Sequence, residues 1–162
     1  MRFVYLIFIL SLFSFDTEAQ SIYNFQIKTP EGKITSYDEI KGQILTVIDF
    51  WATWCKPCVN SIPQLAELSQ SYKPEIVSFI GISIDSPRNL SKVKPFASAV
   101  GITYPVLLDT DQQVMQDLNV TVIPTLLIAN NKDEIVYVHE GFAPGDEVLV
   151  KEEIERILHE NK

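Results

Sequence analysis

Two nearly continuous apolar stretches, residues 44–50 and 76–84, constrain most strongly what this chain can fold into. The first reads Ile-Leu-Thr-Val-Ile-Asp-Phe, rich in strand-forming residues and too unbroken for a strand with one wet face, so a strand buried on both sides is expected. Between the stretches, Val59, Ile62, Leu65, Ala66 and Leu68 recur at helical spacing, with Asn60, Gln64, Glu67 and Gln70 on the opposite face. The pattern predicts a strand, a helix and a parallel strand. Pro63, inside the helix, is expected to kink it, because proline removes one backbone donor and clashes with the preceding turn.

Later segments continue the alternation. Ser86-Pro87 resembles an N-cap followed by Pro at the first helical position, opening a helix with Leu90, Val93, Phe96, Ala97 and Val100 on one side. Pro95 argues against its continuing past Lys94. Residues 104–108 read as a short strand, 110–118 as a short helix containing Met115, and 125–129 with 134–139 as a hairpin around Asn130-Asn131-Lys132-Asp133. Pro144-Gly145 marks a turn before a last amphipathic helix, starting near Asp146, whose inward face is Val150, Ile154, Ile157 and Leu158. The turn-rich segment 20–41, with Thr29-Pro30-Glu31-Gly32, is expected to add a small hairpin to one side. Strands alternating with helices imply an α/β sandwich with a mostly parallel sheet and an antiparallel edge.

The N-terminus has a different character. Arg2 precedes an apolar run that ends at Phe15, followed by Asp16 and Glu18. As a helix that run spans about 20 Å, short of a hydrocarbon core of about 30 Å, so an export signal is the expectation and an uncleaved membrane anchor the alternative. Thr17-Glu18-Ala19 has small residues at the spacing of a cleavage site, which places the cut before Gln20 and divides the chain into a signal segment, 1–19, and one domain, 20–162. No Cys follows the apolar run, which excludes acylation at a new N-terminal Cys. A net charge of −8 argues against a nucleic-acid partner, since phosphate binding needs clustered cations.

The chemistry concentrates at Cys55 and Cys58, the chain's two cysteines, separated by Lys56 and Pro57 where a buried strand turns into a helix. A helix N-terminus stabilises a thiolate with its unpaired N–H groups and dipole, and Lys56 adds positive charge, so Cys55 is the expected nucleophile. Cys58, almost one helical turn on, can attack a mixed disulfide and release the product as the pair closes. No cofactor is needed. A structural disulfide and half of a zinc site are the alternatives. The first closes too short a loop to stabilise much, and the second lacks partner spacing from His139 or His159, both taken as structural or surface residues.

Asp49-Phe50-Trp51-Ala52-Thr53-Trp54-Cys55-Lys56-Pro57-Cys58, Pro63 five residues after the second Cys, and Val122-Ile123-Pro124-Thr125-Leu126-Leu127 together resemble thioredoxin-like proteins, and more closely the exported TlpA/ResA-like thiol-disulfide oxidoreductases. The resemblance spans about residues 25–158. It implies a thioredoxin-like three-layer sandwich, a central mixed sheet flanked by helices with an added N-terminal hairpin. It makes Pro124 a cis-proline opposite the cysteines, leaving Ile123 free to pair its backbone with an extended substrate. Trp51 and Trp54 would flank the cysteines as an apolar docking surface, core packing being the alternative for Trp51, and Gly141 matches a glycine that lets a substrate backbone approach. One departure is Ser61, where the exported branch often carries Glu, so cytochrome c maturation does not carry over as a role.

Asp49 is a carboxyl in an apolar strand six residues before Cys55. Burial without a cation raises its pKa and suits it to accept the Cys58 proton in the resolving step, whereas an Asp pointing to water at a strand end would do nothing of the kind. Pro57 denies Cys55 one N–H donor, which lowers oxidising power and points to reduction of protein disulfides in the periplasm, with Lys56 pulling the other way. The chain has no Gly-rich nucleotide site, so its electrons are expected from a membrane thiol donor, and a monomer is expected. Two rivals stand beside this reading. A thiol peroxidase would carry Pro and Thr where this chain has Ile48 and Ala52, and a copper or haem-delivery chaperone would use Cys55, Cys58 and His139 as ligands.

Overall fold

The computed structural model describes residues 20–160; the expected signal segment, 1–19, lies outside them. Within these residues the chain forms β1 (Gln26–Lys28), β2 (Ile34–Ser36), α1 (Tyr37–Ile40), β3 (Leu45–Trp51), α2 (Lys56–Ser69), β4 (Val77–Ser83), α3 (Leu90–Ala99), β5 (Val106–Leu108), α4 (Gln113–Asp117), β6 (Thr125–Asn130), β7 (Ile135–Glu140) and α5 (Asp146–Glu160). The strands make one sheet in the order β2-β1-β5-β4-β3-β6-β7.

β3 and β4 are buried along their whole length and pair in parallel from Leu45↔Val77 to Trp51↔Ser83, as the two apolar stretches predict. The sheet is less parallel than the alternation suggests. β4–β5 is also parallel, but β6 and β7 add to β3 antiparallel and the β1–β2 hairpin adds to β5 antiparallel. The two hairpins are visible in sequence; the strand each docks against is a tertiary choice that local pattern does not encode. The result is the mixed sheet of a thioredoxin-like sandwich.

Side-chain alternation divides the core. Leu45 and Val47 face a cluster with Leu65 and Leu68 of α2 and Val150, Ile154 and Ile157 of α5, while Ile48 and Phe50 face a second cluster that includes Ile80, Ile82, Val93 of α3 and Met115 of α4. Asp49 falls in the first row, under α2 and α5.

α3 differs from expectation at both ends. It begins at Leu90 behind a turn at residues 87–89, and it runs through Pro95 to Ala99. Pro95 and Ser91, whose carbonyl loses its helical partner to the proline, are both exposed, a position at which a lost backbone bond costs least. Pro63 in α2 is likewise exposed and the helix continues through it. The short helix α4 is anchored from outside its own span: the Asp109 carboxylate accepts from the Val114 and Met115 N–H groups at 3.2 and 2.9 Å.

Candidate active site

β3 leaves the sheet at Trp51, and the chain turns through residues 52–54 before Cys55 caps α2. A buried acid holds this turn. Asp85, just beyond β4, accepts from the Thr53 N–H at 2.8 Å, the Thr53 hydroxyl at 2.7 Å and the Ser83 hydroxyl at 2.9 Å. The sequence pattern does not single out Asp85; the signal it carries is a lone acid just past the C-terminal end of a buried strand.

Cys55 and Cys58 form a disulfide with Cα atoms 5.3 Å apart. Cys58 is fully buried and Cys55 nearly so. As N-cap, Cys55 accepts through Sγ from the Cys58 N–H at 3.2 Å. An N-cap side chain ordinarily takes its hydrogen bond from the second or third helical residue. Here the second is Pro57, which has no N–H, so one of the two donors is gone. Lys56 and Pro57 are both exposed beside the pair.

The residues expected around the cysteines separate into surface and interior. Trp54, which precedes Cys55, is 60% exposed, and Val122, two residues before Pro124, is 46% exposed. Trp51 is fully buried and stacks on Phe96 of α3 with ring centroids 5.5 Å apart, so it packs the core and is no part of a docking surface. Its place at the strand end left both readings open; α3, reaching past Pro95, covers it. The Ile123–Pro124 bond is cis, Ile123 is half-buried, and the Pro124 carbonyl accepts from the Gly141 N–H at 2.8 Å. Gly141 has φ +79°, where a side chain is strained, and the space beside its Cα is open.

Asp49 is 3% exposed, with both carboxyl oxygens lacking a hydrogen-bond partner. Burial alone pushes its pKa up to about 7, from an ordinary 3.8. It does not point to water. It borders a cavity of about 10 Å³ shared with Ser61, Pro124, His139 and Gly141, close to the least space that holds one water. Ser61, one helical turn after Cys58 on the same face, donates its hydroxyl to the Cys58 carbonyl at 3.1 Å. Ser61 thus links the Cys58 backbone to the small enclosed space that Asp49 borders.

His139 is committed elsewhere. Its Nε2 lies 2.9 Å from Asp146 Oδ2 and its Nδ1 3.3 Å from the Tyr137 hydroxyl, tying β7 to the start of α5. The Ala143 N–H and His139 hold the Asp146 carboxyl below its usual range. His159 is exposed on α5. Among the described residues no three His, Cys, Asp or Glu side chains are grouped to hold a metal. A groove of about 810 Å³ opens between the end of α2 and the start of β4, with neither cysteine in its lining.

Comparison with known proteins agrees with this geometry. The AhpC/TSA family profile matches residues 19–138. The thiol-disulfide oxidoreductase ResA of Geobacillus kaustophilus is 32% identical over 136 residues, covering 84% of this chain and 71% of that protein. The sporulation thiol-disulfide oxidoreductase A of Bacillus subtilis is 32% identical over 112 residues, covering 68% of this chain and 67% of its own. A thioredoxin-like protein from Porphyromonas gingivalis, solved in solution, superposes with a TM-score of 0.72 at 31% identity over 87% of this chain and 94% of that one. The chain therefore belongs to the AhpC/TSA family of thioredoxin-like proteins, in the branch of the ResA-type thiol-disulfide oxidoreductases.

Proposed function

We propose that this protein is an exported reductant of protein disulfides. The observation that carries the reading is the Cys55–Cys58 disulfide at the start of α2, with one backbone donor left to Cys55. In the reduced state the Cys55 thiolate attacks one sulfur of a substrate disulfide, forming a mixed disulfide and expelling the first substrate thiolate. Asp49 then takes the proton from the Cys58 thiol, with the small cavity beside Asp49 and Ser61 giving room for a relaying water. Cys58 attacks Cys55, the second substrate thiolate leaves and is protonated, and two electrons have passed to the substrate.

Trp54 and Val122 are the apolar ground on which a substrate segment docks, with the Ile123 backbone and the open flank of Gly141 along its path. Lys56 and Pro57, exposed beside Cys55, contact the same segment. Export rests on residues 1–19, with cleavage before Gln20 and release into the periplasm. Among the described residues no helix is long and apolar enough to cross a membrane. Re-reduction then requires electrons from a membrane thiol donor.

Substrate capture tests the reading. Cys58→Ser retains substrate as a mixed disulfide on Cys55, Cys55→Ser retains none, and turnover on a protein disulfide survives chelation. Turnover that persists in Cys55→Ser, or that stops on chelation with a stoichiometric metal released, overturns it and favours the copper or haem-delivery alternative.

A further inference from the structure

Among the described residues, five buried side-chain polar atoms lack a hydrogen-bond partner: the Tyr37 hydroxyl, both Asp49 oxygens, Trp51 Nε1 and the Tyr104 hydroxyl. Such groups are rare in folded proteins, because each forfeits its hydration for nothing in return. Four of the five belong to three residues that converge on one point of the sheet, Gly81.

Asp49 and Gly81 are register partners in the parallel β3–β4 pair, so their Cα atoms lie about 4.8 Å apart and their side-chain directions share one face. A Cβ on Gly81 would stand 3.0 Å from Trp51 Nε1 and 3.1 Å from Tyr104 Cε2. Both are closer than an ordinary packing contact. The indole and phenol rings therefore occupy the room that a side chain at residue 81 would take, immediately beside the carboxyl. Phe96 covers the fully buried Trp51, and Phe79 packs against the half-buried Tyr104 with centroids 6.0 Å apart, where the Tyr104 ring borders the groove beside the end of α2 while its hydroxyl oxygen stays buried.

The chemistry of the unpartnered atoms is complementary. Trp51 Nε1–H donates only, the Tyr104 hydroxyl can donate, and a carboxylate only accepts. No other charged partner is supplied. Facing Asp49 across the small cavity from α2 are Ser61, whose hydroxyl is spent on the Cys58 carbonyl, and Leu65; β6 contributes Leu126, α5 contributes Val150, and β7 contributes His139, engaged by Asp146 and Tyr137. No Lys or Arg lines the cavity or the Gly81 site.

We infer that Tyr104 and Trp51 are a donor pair that receives the Asp49 carboxylate whenever it is ionised, directly or through one water, with Gly81 as the gap that admits both rings. Tyr104 is then a positioning residue for the resolving step, acting through Asp49 and never touching substrate. The inference rests on the reading of Asp49 as proton acceptor for Cys58. When Asp49 gives up its proton, the two donors turn to the anion; when it takes the proton from Cys58, they release it, with no electron transferred and no atom lost. Burial first, and the Asp49 charge second, hold the Tyr104 hydroxyl well above its ordinary 10, so it stays a donor across the working pH range.

The test is a carbon-13 NMR titration of the Asp49 carboxyl in the oxidised full chain, its resonance assigned by loss in Asp49→Asn. Tyr104→Phe keeps the ring and removes the donor, and its Asp49 midpoint rises by at least about 0.5 pH unit, because a hydrogen bond to an ionised group is worth more than that. Tyr72→Phe is the comparator: its hydroxyl donates to Glu155 at 2.9 Å, and its loss leaves the midpoint within about 0.2 unit, well under one charge-assisted bond. An unmoved midpoint in Tyr104→Phe overturns the inference. Should that variant not fold, the Tyr104 Cζ resonance of the unaltered protein decides, following the Asp49 midpoint if the pair exists and staying flat if it does not. The catalytic role of Asp49 is read separately. A resolving rate unaffected by Asp49→Asn removes that role while leaving the donor pair standing, and a flat Tyr104 response removes the pair while leaving the role.

Discussion

Replacing Asp49 with Asn removes a carboxyl that α2 and α5 bury over β3, and stability should then respond to pH in a way that surface substitutions do not. In the unfolded chain an Asp ionises near 3.8, and in the fold burial moves that to about 7. Below pH 3.8 the carboxyl is neutral in both states and burial costs no charge. Between the two values the unfolded chain ionises while the folded one holds its proton, so the wild-type protein loses stability with rising pH, and the loss is complete above 7. A shift of about three units at about 1.36 kcal/mol each makes that loss about 4 kcal/mol. Asn is nearly isosteric and does not titrate. Urea unfolding of the oxidised wild type and Asp49→Asn at intervals from pH 4 to 9 therefore shows the variant gaining about 4 kcal/mol relative to wild type across that range, with most of the change between pH 4 and 7. Parallel stability curves would refute the reasoning, because they require the fold to hold the Asp49 carboxylate as easily as water does.

Three further outcomes follow from the geometry. Pro57→Ala restores the second N-cap donor to Cys55 and raises the reduction potential by about 30–60 mV, since a hydrogen bond to a thiolate is worth about 1.5–3 kcal/mol; an unchanged or lower potential in glutathione equilibration counts against the role given to Pro57. Asp85→Ala strands the Thr53 and Ser83 donors and lowers unfolding free energy by about 2–4 kcal/mol, checked by urea denaturation, with a loss under about 0.5 kcal/mol contradicting the anchor. Trp54→Ala raises KM for a protein disulfide about five- to tenfold, the worth of one docking residue, and an unchanged KM places the docking surface elsewhere.

How much of this was legible in sequence depended on how local each feature is. The β3–α2–β4 unit announced itself because two apolar stretches and a helical stripe are statements about neighbouring residues. Cys55 and Cys58 were legible for the same reason, their spacing being a property of one helical turn. Asp49 was legible as an anomaly, a carboxyl where only apolar residues fit. The direction in which each hairpin docks was not legible, since β1 meets β5 and β6 meets β3 across long stretches of chain. Trp51 shows the same limit, because its burial depends on Phe96 of a helix that Pro95 argued against. Asp85 holds Thr53 from 32 positions away and Tyr104 packs at Gly81 from across a parallel strand pair, and nothing adjacent to either in sequence marks those partners.

The central claim is that the Cys55–Cys58 pair is a reductant, and its reduction potential tests that most directly. Equilibration of the pair against glutathione and dithiothreitol buffers, read by thiol alkylation, should give a value near or below about −250 mV, toward the thioredoxin end of the scale. A value near about −120 mV, at the strongly oxidising end, would contradict the account and make the protein a donor of disulfides.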